Sequence, residues 1–157
     1  MENSQRGDAH LKTDYNIRRI MAAHAVAVKR VYEKPSEDGT RVLVDRLWPR
    51  GLTKAEAKVD FWLPGLAPSN ELRKWFHAHP DRWVEFRQRY LKELQKGPAA
   101  QALRQLKKIL SEKPRVTLLF ASKNTERNNA TVLKDLIEVG KKPATITPSP
   151  VRNRRPA

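Results

Sequence analysis

Apolar residues along this chain follow two patterns. Some form short runs that are apolar on both faces; others recur every three or four positions over longer stretches. The short runs are 25–32 (AVAVKRVY), 41–46 (RVLVDR) and 115–122 (RVTLLFAS). In the first, Val26, Val28 and Arg30 point one way, and Ala27, Lys29 and Val31 the other. In the third, positions 116–121 are almost wholly apolar. Such runs predict strands covered on both sides, as in a parallel sheet.

The longer stretches predict amphipathic helices. Leu72, Trp75 and Phe76 share a face over 70–77. Trp83, Phe86, Tyr90, Leu91 and Leu94 do so in a helix opened by Pro80 and Asp81. Leu103, Leu106, Ile109 and Leu110 line a helix over 99–112, with Arg104, Lys107 and Lys108 on its opposite, basic face. Ala130, Leu133, Leu136 and Ile137 line the last, over 126–139. Ser69 and Thr125 are placed to cap the first and last of these helices, and Thr53 a short turn over 54–58. Gly97-Pro98, Pro114 and Gly140 supply stops. The segment 59–63 is ambiguous between strand and turn. Between the first two strands, Pro35, Ser36, Asp38 and Gly39 form a loop too short for a helical crossover, which needs about a dozen residues. That leaves a hairpin, or a parallel pair joined by a compressed crossover.

These elements amount to a single α/β domain, a small, mostly parallel sheet flanked by helices. The length of 157 residues agrees. The domain is expected over 25–140, after a flexible polar extension at 1–24. A disordered tail at 141–157 has four prolines, five basic residues and no acid. The chain contains no cysteine, which excludes disulfides, thiolate zinc sites and cysteine nucleophiles. No apolar run approaches the roughly 20 residues of a membrane span, and positions 1–24 lack the apolar core of a secretory signal. A cytoplasmic protein is the expectation. The net charge of +15 belongs mostly to the domain itself, where 23 basic side chains face 14 acidic ones. Such a surface attracts polyanions without a specific site.

Candidate chemistry gathers where two strands end. After the second strand come Asp45, Arg46, Trp48, Arg50 and Gly51; after the 115–122 strand come Ser122, Lys123, Asn124, Thr125, Asn128 and Asn129. If those strands are parallel neighbours, both loops emerge on one edge. The guanidinium groups of Arg46 and Arg50 suit a phosphate or carboxylate, and a helix N-terminus after Thr125 adds N–H donors. Arg73, on the 70–77 helix, is a third candidate cation, and Asp45 a general base if desolvated. Structural readings compete at each position. Asp45 and Arg46 pair to tie down a turn, Trp48 packs rather than stacks, and Asn128 caps a helix. His77 and His79 are two apart near a helix end, the wrong spacing for a ligand pair, so no metal site is expected. No Gly-rich phosphate loop or nucleophile elbow is present, and no cofactor is expected.

VDRLWPRG, with KRVY before it, and then APSNELRKWF, WVEFRQRYLKEL and TLLFASKNTERNNATVL resemble the YeaO-like proteins within the domain-of-unknown-function family numbered 488. The resemblance covers about 26–138, in order. It implies a compact cytoplasmic α/β domain and no established activity. The family's recurrent polar positions fall on Lys29, Arg30, Asp45, Arg46, Arg50, Ser69, Arg73 and Asn128. Relatives in the wider family carry cysteines after the strand matching 116–121; here Phe120 and Ser122 stand in that region, so thiol chemistry does not carry over. Two functional readings follow. One is a small anionic ligand bound by Arg46, Trp48, Arg50, Arg73, Ser122 and Asn128. The other is a nucleic-acid-binding accessory protein that uses its tail and basic helix face.

Overall fold

The computed structural model describes residues 25–141, with side chains as far as Val139. The expected extension at 1–24 and almost all of the tail lie outside the described residues. Strands β1 (Ala25–Arg30), β2 (Thr40–Leu43), β3 (Phe61–Trp62) and β4 (Arg115–Phe120) form one sheet in the order β1-β4-β2-β3. Every pairing is parallel. Helices α1 (Lys54–Ala57), α2 (Asn70–Ala78), α3 (Trp83–Glu93), α4 (Gly97–Glu112) and α5 (Asn129–Lys141) complete it, with a 3-10 turn at Pro64–Leu66. Among the described residues no helix is long and apolar enough to cross a membrane.

The first two strands do not pair with each other. β4 lies between them, in register Val28↔Leu118 and Val42↔Leu118, which rules out the hairpin. The chain returns along β1 without a helix because polar groups tie the return loop down. Lys29 Nζ donates to the Lys34 carbonyl (2.7 Å) and to Asp38 (3.1 Å), and Thr117 Oγ1 donates to the Asp38 carbonyl. Gly39, at φ +68°, ends the loop where a Cβ would lie 2.4 Å from the Arg115 carbonyl oxygen. Only glycine fits both the backbone angle and that approach.

The two faces of the sheet are covered unequally. Val42, Val44, Val116, Leu118 and Phe120 point into the larger core, against Leu66, Phe86, Tyr90, Leu106, Val132 and Leu133 from the turn and helices. The opposite face carries a small cluster of Val31, Leu43, Ala57 and Leu119, with Trp48 and Leu52 of the loop packed on it. Arg41 lies beside it, 4% exposed, with its guanidinium donating to Asp38 (2.5 Å) and to the carbonyls of Ala57 and Lys58.

Ser69 and Thr53 cap α2 and α1 as expected, accepting from the N–H groups of Leu72 and Glu56. The ambiguous 59–63 segment supplies β3, a short edge strand beside β2. The strands expected at 25–32, 41–46 and 115–122 end at Arg30, Leu43 and Phe120, and three helix starts move. α3 begins at Trp83, because Arg82 closes a turn onto the His79 carbonyl. α4 begins at Gly97, where Pro98 occupies the first turn, a position that needs no N–H. The last helix begins at Asn129, not after Thr125. Asn128 Oδ1 accepts from Thr131 N, and Asn128 N donates to Thr131 Oγ1, a reciprocal cap that Thr125 does not make.

Candidate functional site

Parallel pairing of β2 with β4 brings the two polar loops to one edge of the sheet. Asp45 is its centre. Its Oδ2 accepts from the Ala121 N–H (2.8 Å) and its Oδ1 from Asn129 Nδ2 (3.0 Å), and that amide also donates to the Val44 carbonyl (2.9 Å). One carboxylate thus joins the end of β2, the end of β4 and the first residue of α5. Burial pushes the Asp45 carboxyl above its ordinary range, while the Asn129 and Ala121 hydrogen bonds pull it partway back.

Arg46 does not pair with Asp45. Its Nη2 donates to the carbonyls of Ala67 and Pro68, both at 3.2 Å. Its Nε is buried and has no hydrogen-bond partner. The same segment is held from α3: Tyr90 OH donates to the Leu66 carbonyl, and Glu93 accepts from Ser69 N (2.8 Å) and Ser69 Oγ (2.6 Å). A loop buried as deeply as Leu66, Ala67 and Pro68 needs its carbonyls satisfied; Arg46 and Tyr90 do this. Burial raises the Tyr90 hydroxyl well above its ordinary range. The negative charges of Asp45 and Glu93 add to the rise, and Arg46 opposes it.

The other candidates divide sharply. Trp48 is half-buried, donates to the Leu52 carbonyl (2.6 Å) and meets Trp62 edge to face, with ring centroids 5.5 Å apart. Trp62 in turn donates to the Asp45 carbonyl. Ser122 is exposed; its Oγ accepts from Asn124 N, and its carbonyl takes Arg30 Nε at 2.9 Å. Asn128 is 4% exposed and spends its side chain on Thr131 N and the Asn124 carbonyl. Arg50 and Arg73 are different. Both are exposed, and neither guanidinium has a hydrogen bond or ion pair among the described residues. The turn that carries Arg50 is nonetheless fixed. Pro49 is buried, Gly51 takes φ +80°, and Tyr32 OH donates to the Arg50 carbonyl (3.0 Å).

Sequence reasoning located this edge but missed Tyr90, Glu93 and Asn129 as its supports. Tyr90 reads as one more apolar position on a helical stripe. Glu93 carries a weak signal, as an acid beside the buried Leu94. Asn129 stands next to Asn128 with nothing in the sequence to rank the two.

Taken together, these observations define a small, all-parallel α/β domain whose strand-end motifs mostly tie the fold together, while the candidate cations Arg50 and Arg73 have no side-chain partner among the described residues. The chain belongs to the DUF488 family. A family model described as the Inactive DUF488-N3 subclade matches residues 25–151. The chain is 43% identical over 111 residues to the uncharacterized protein YeaO of Escherichia coli (strain K12), covering 70% of this chain and 94% of that protein. An uncharacterized protein of Mycobacterium tuberculosis (strain ATCC 25618 / H37Rv) is 42% identical over 113 residues, 71% of this chain and 92% of its own length. No solved structure matches.

Proposed function

We propose that this cytoplasmic protein binds a small phosphate- or carboxylate-bearing ligand at the C-terminal edge of its sheet, without turning it over. Arg50 carries the reading. Its guanidinium is exposed and unpaired among the described residues, on a turn anchored by Tyr32 and the buried Pro49. An anchored turn removes the backbone part of the ordering cost when its cation binds an anion, and a guanidinium fork matches phosphate and carboxylate oxygens. Arg73, also exposed and unpaired, is the second cation, and Arg46 keeps a buried Nε donor. Asp45 supports binding over catalysis: both of its oxygens are already engaged by donors of the fold. The description of the subclade as inactive points the same way.

The test is a thermal-shift screen of the full chain against anionic metabolites, run beside Arg50→Ala. A ligand at about 100 times its Kd stabilises by roughly 2.7 kcal/mol. The expected result is a shift that Arg50→Ala abolishes. No shift with any compound, or one that Arg50→Ala leaves intact, overturns the proposal.

A further inference from the structure

A second feature lies on the Trp62 side of the loop that carries Arg50. Where β3 meets the start of α4, a groove of about 390 Å³ opens between Trp62 and Pro64 on one side and Pro98, Gln101, Ala102 and Gln105 on the other. Trp62 is 41% exposed, yet its indole is not loose. Nε1 is held by the Asp45 carbonyl at 2.8 Å, and the ring rests against Trp48 at an interplanar angle of 70°. Gln101 and Gln105 are exposed and one helical turn apart, so both amides stand along the same wall. Continuing that helical surface, Arg104 and Lys108 are exposed, and their side chains have no ion pair among the described residues.

We infer that this groove and the adjoining face of α4 bind single-stranded nucleic acid. A base stacks on the Trp62 indole, the two glutamine amides meet its polar edge, and Arg104 and Lys108 hold the phosphates on either side. An aromatic surface beside a row of cations is the arrangement that takes a single strand without sequence preference. From Gln101 to Lys108 the helix advances about 10 Å, long enough to follow a backbone past its first phosphate. A duplex keeps its bases stacked inside and offers Trp62 no free face. An acidic peptide uses the cations equally well but has no comparable need for the indole and amides together.

The experiment is an anisotropy titration of the full chain with a short fluorescent oligothymidylate over a series of salt concentrations. A duplex of equal length and polyglutamate serve as competitors. The single strand is expected to bind best. Trp62→Ala is expected to weaken binding about tenfold or more. Changing Arg104 and Lys108 together to alanine lowers the slope of log affinity against log salt by about 1 to 1.5. Trp62 also supports the strand-end loop, so a second variant, Gln101→Glu with Gln105→Glu, tests the groove through exposed positions that the fold does not use. It too is expected to weaken the single strand at least tenfold. Four results overturn the inference: no binding of the single strand, duplex binding of equal strength, polyglutamate competing with the same dependence on Trp62, or affinity unchanged in the double glutamate variant.

Discussion

Asp38 and Asp45 bracket β2, one before the strand and one after it, and their surroundings act on them in opposite directions. Burial alone would raise both. At Asp38 that effect is outweighed by the Ser36 N–H and by the Lys29 and Arg41 cations, so the carboxyl lies below its ordinary value of 3.8. At Asp45 the partners are neutral, an amide and a backbone N–H, and the carboxyl lies above that value. The difference is between a neutralised charge and one that is only solvated by dipoles. The first end of β2 is an ion-pair anchor for a loop with no helix of its own. The second joins two strands and a helix through a carboxylate that folding does not favour in its charged form.

The largest effect that would break this contrast is at the cationic end. Arg41→Ala strands the Ala57 and Lys58 carbonyls and removes one of the two cations from Asp38. It is expected to cost about 3–5 kcal/mol in urea unfolding. At the other end, Asp45→Ala leaves the Ala121 N–H and the Asn129 amide short of an acceptor. The expected loss is about 1–3 kcal/mol by the same measurement. A loss from Asp45→Ala equal to or above that from Arg41→Ala would mean that the two ends are not unlike after all.

The pH dependence sharpens the comparison. Asp38 has a lowered folded value, so its contribution is complete above 3.8 and disappears as the pH falls through the folded value. Asp45 has a raised folded value, so its contribution is complete below 3.8 and is lost as the pH rises through the folded value. Measured against the unmodified chain, the stability deficit of Asp38→Asn grows as the pH rises toward 3.8, while that of Asp45→Asn shrinks as the pH rises above it. Unfolding curves at closely spaced acidic pH values test this; two deficits that move in the same direction refute it. The smallest effect belongs to the free cations. Arg50→Ala and Arg73→Ala touch no partner among the described residues, and each is expected to change stability by less than about 0.5 kcal/mol. A larger loss would place them with the structural ties instead.

Much of the edge was legible because strands that end in charged residues are visible in a linear pattern. What the pattern does not carry is how those charges are used. Asp45 and Arg46 are adjacent in sequence and read as a pair, yet one turns to β4 and α5 and the other to the Ala67–Pro68 carbonyls. Asn128 reads equally as cap or ligand until Thr131 is found reciprocating its hydrogen bonds. Ser69 shows its capping role in sequence, but its bond to Glu93 depends on α3 folding back across α2.

The sequence by itself determined most of the strands and helices, that the sheet is small and mostly parallel, and that polar loops follow β2 and β4. It could do so because periodicity, caps and breakers act over a few residues. Only the tertiary structure decided that β4 inserts between β1 and β2, that the Asp38 cluster replaces a crossover helix, and that Arg46 is engaged by backbone carbonyls while Arg50 and Arg73 have no side-chain partner among the described residues. Those outcomes depend on which groups meet across 24 to 92 residues of chain. No local pattern encodes such meetings; they follow from burial and from the need to satisfy every polar group that burial removes from water.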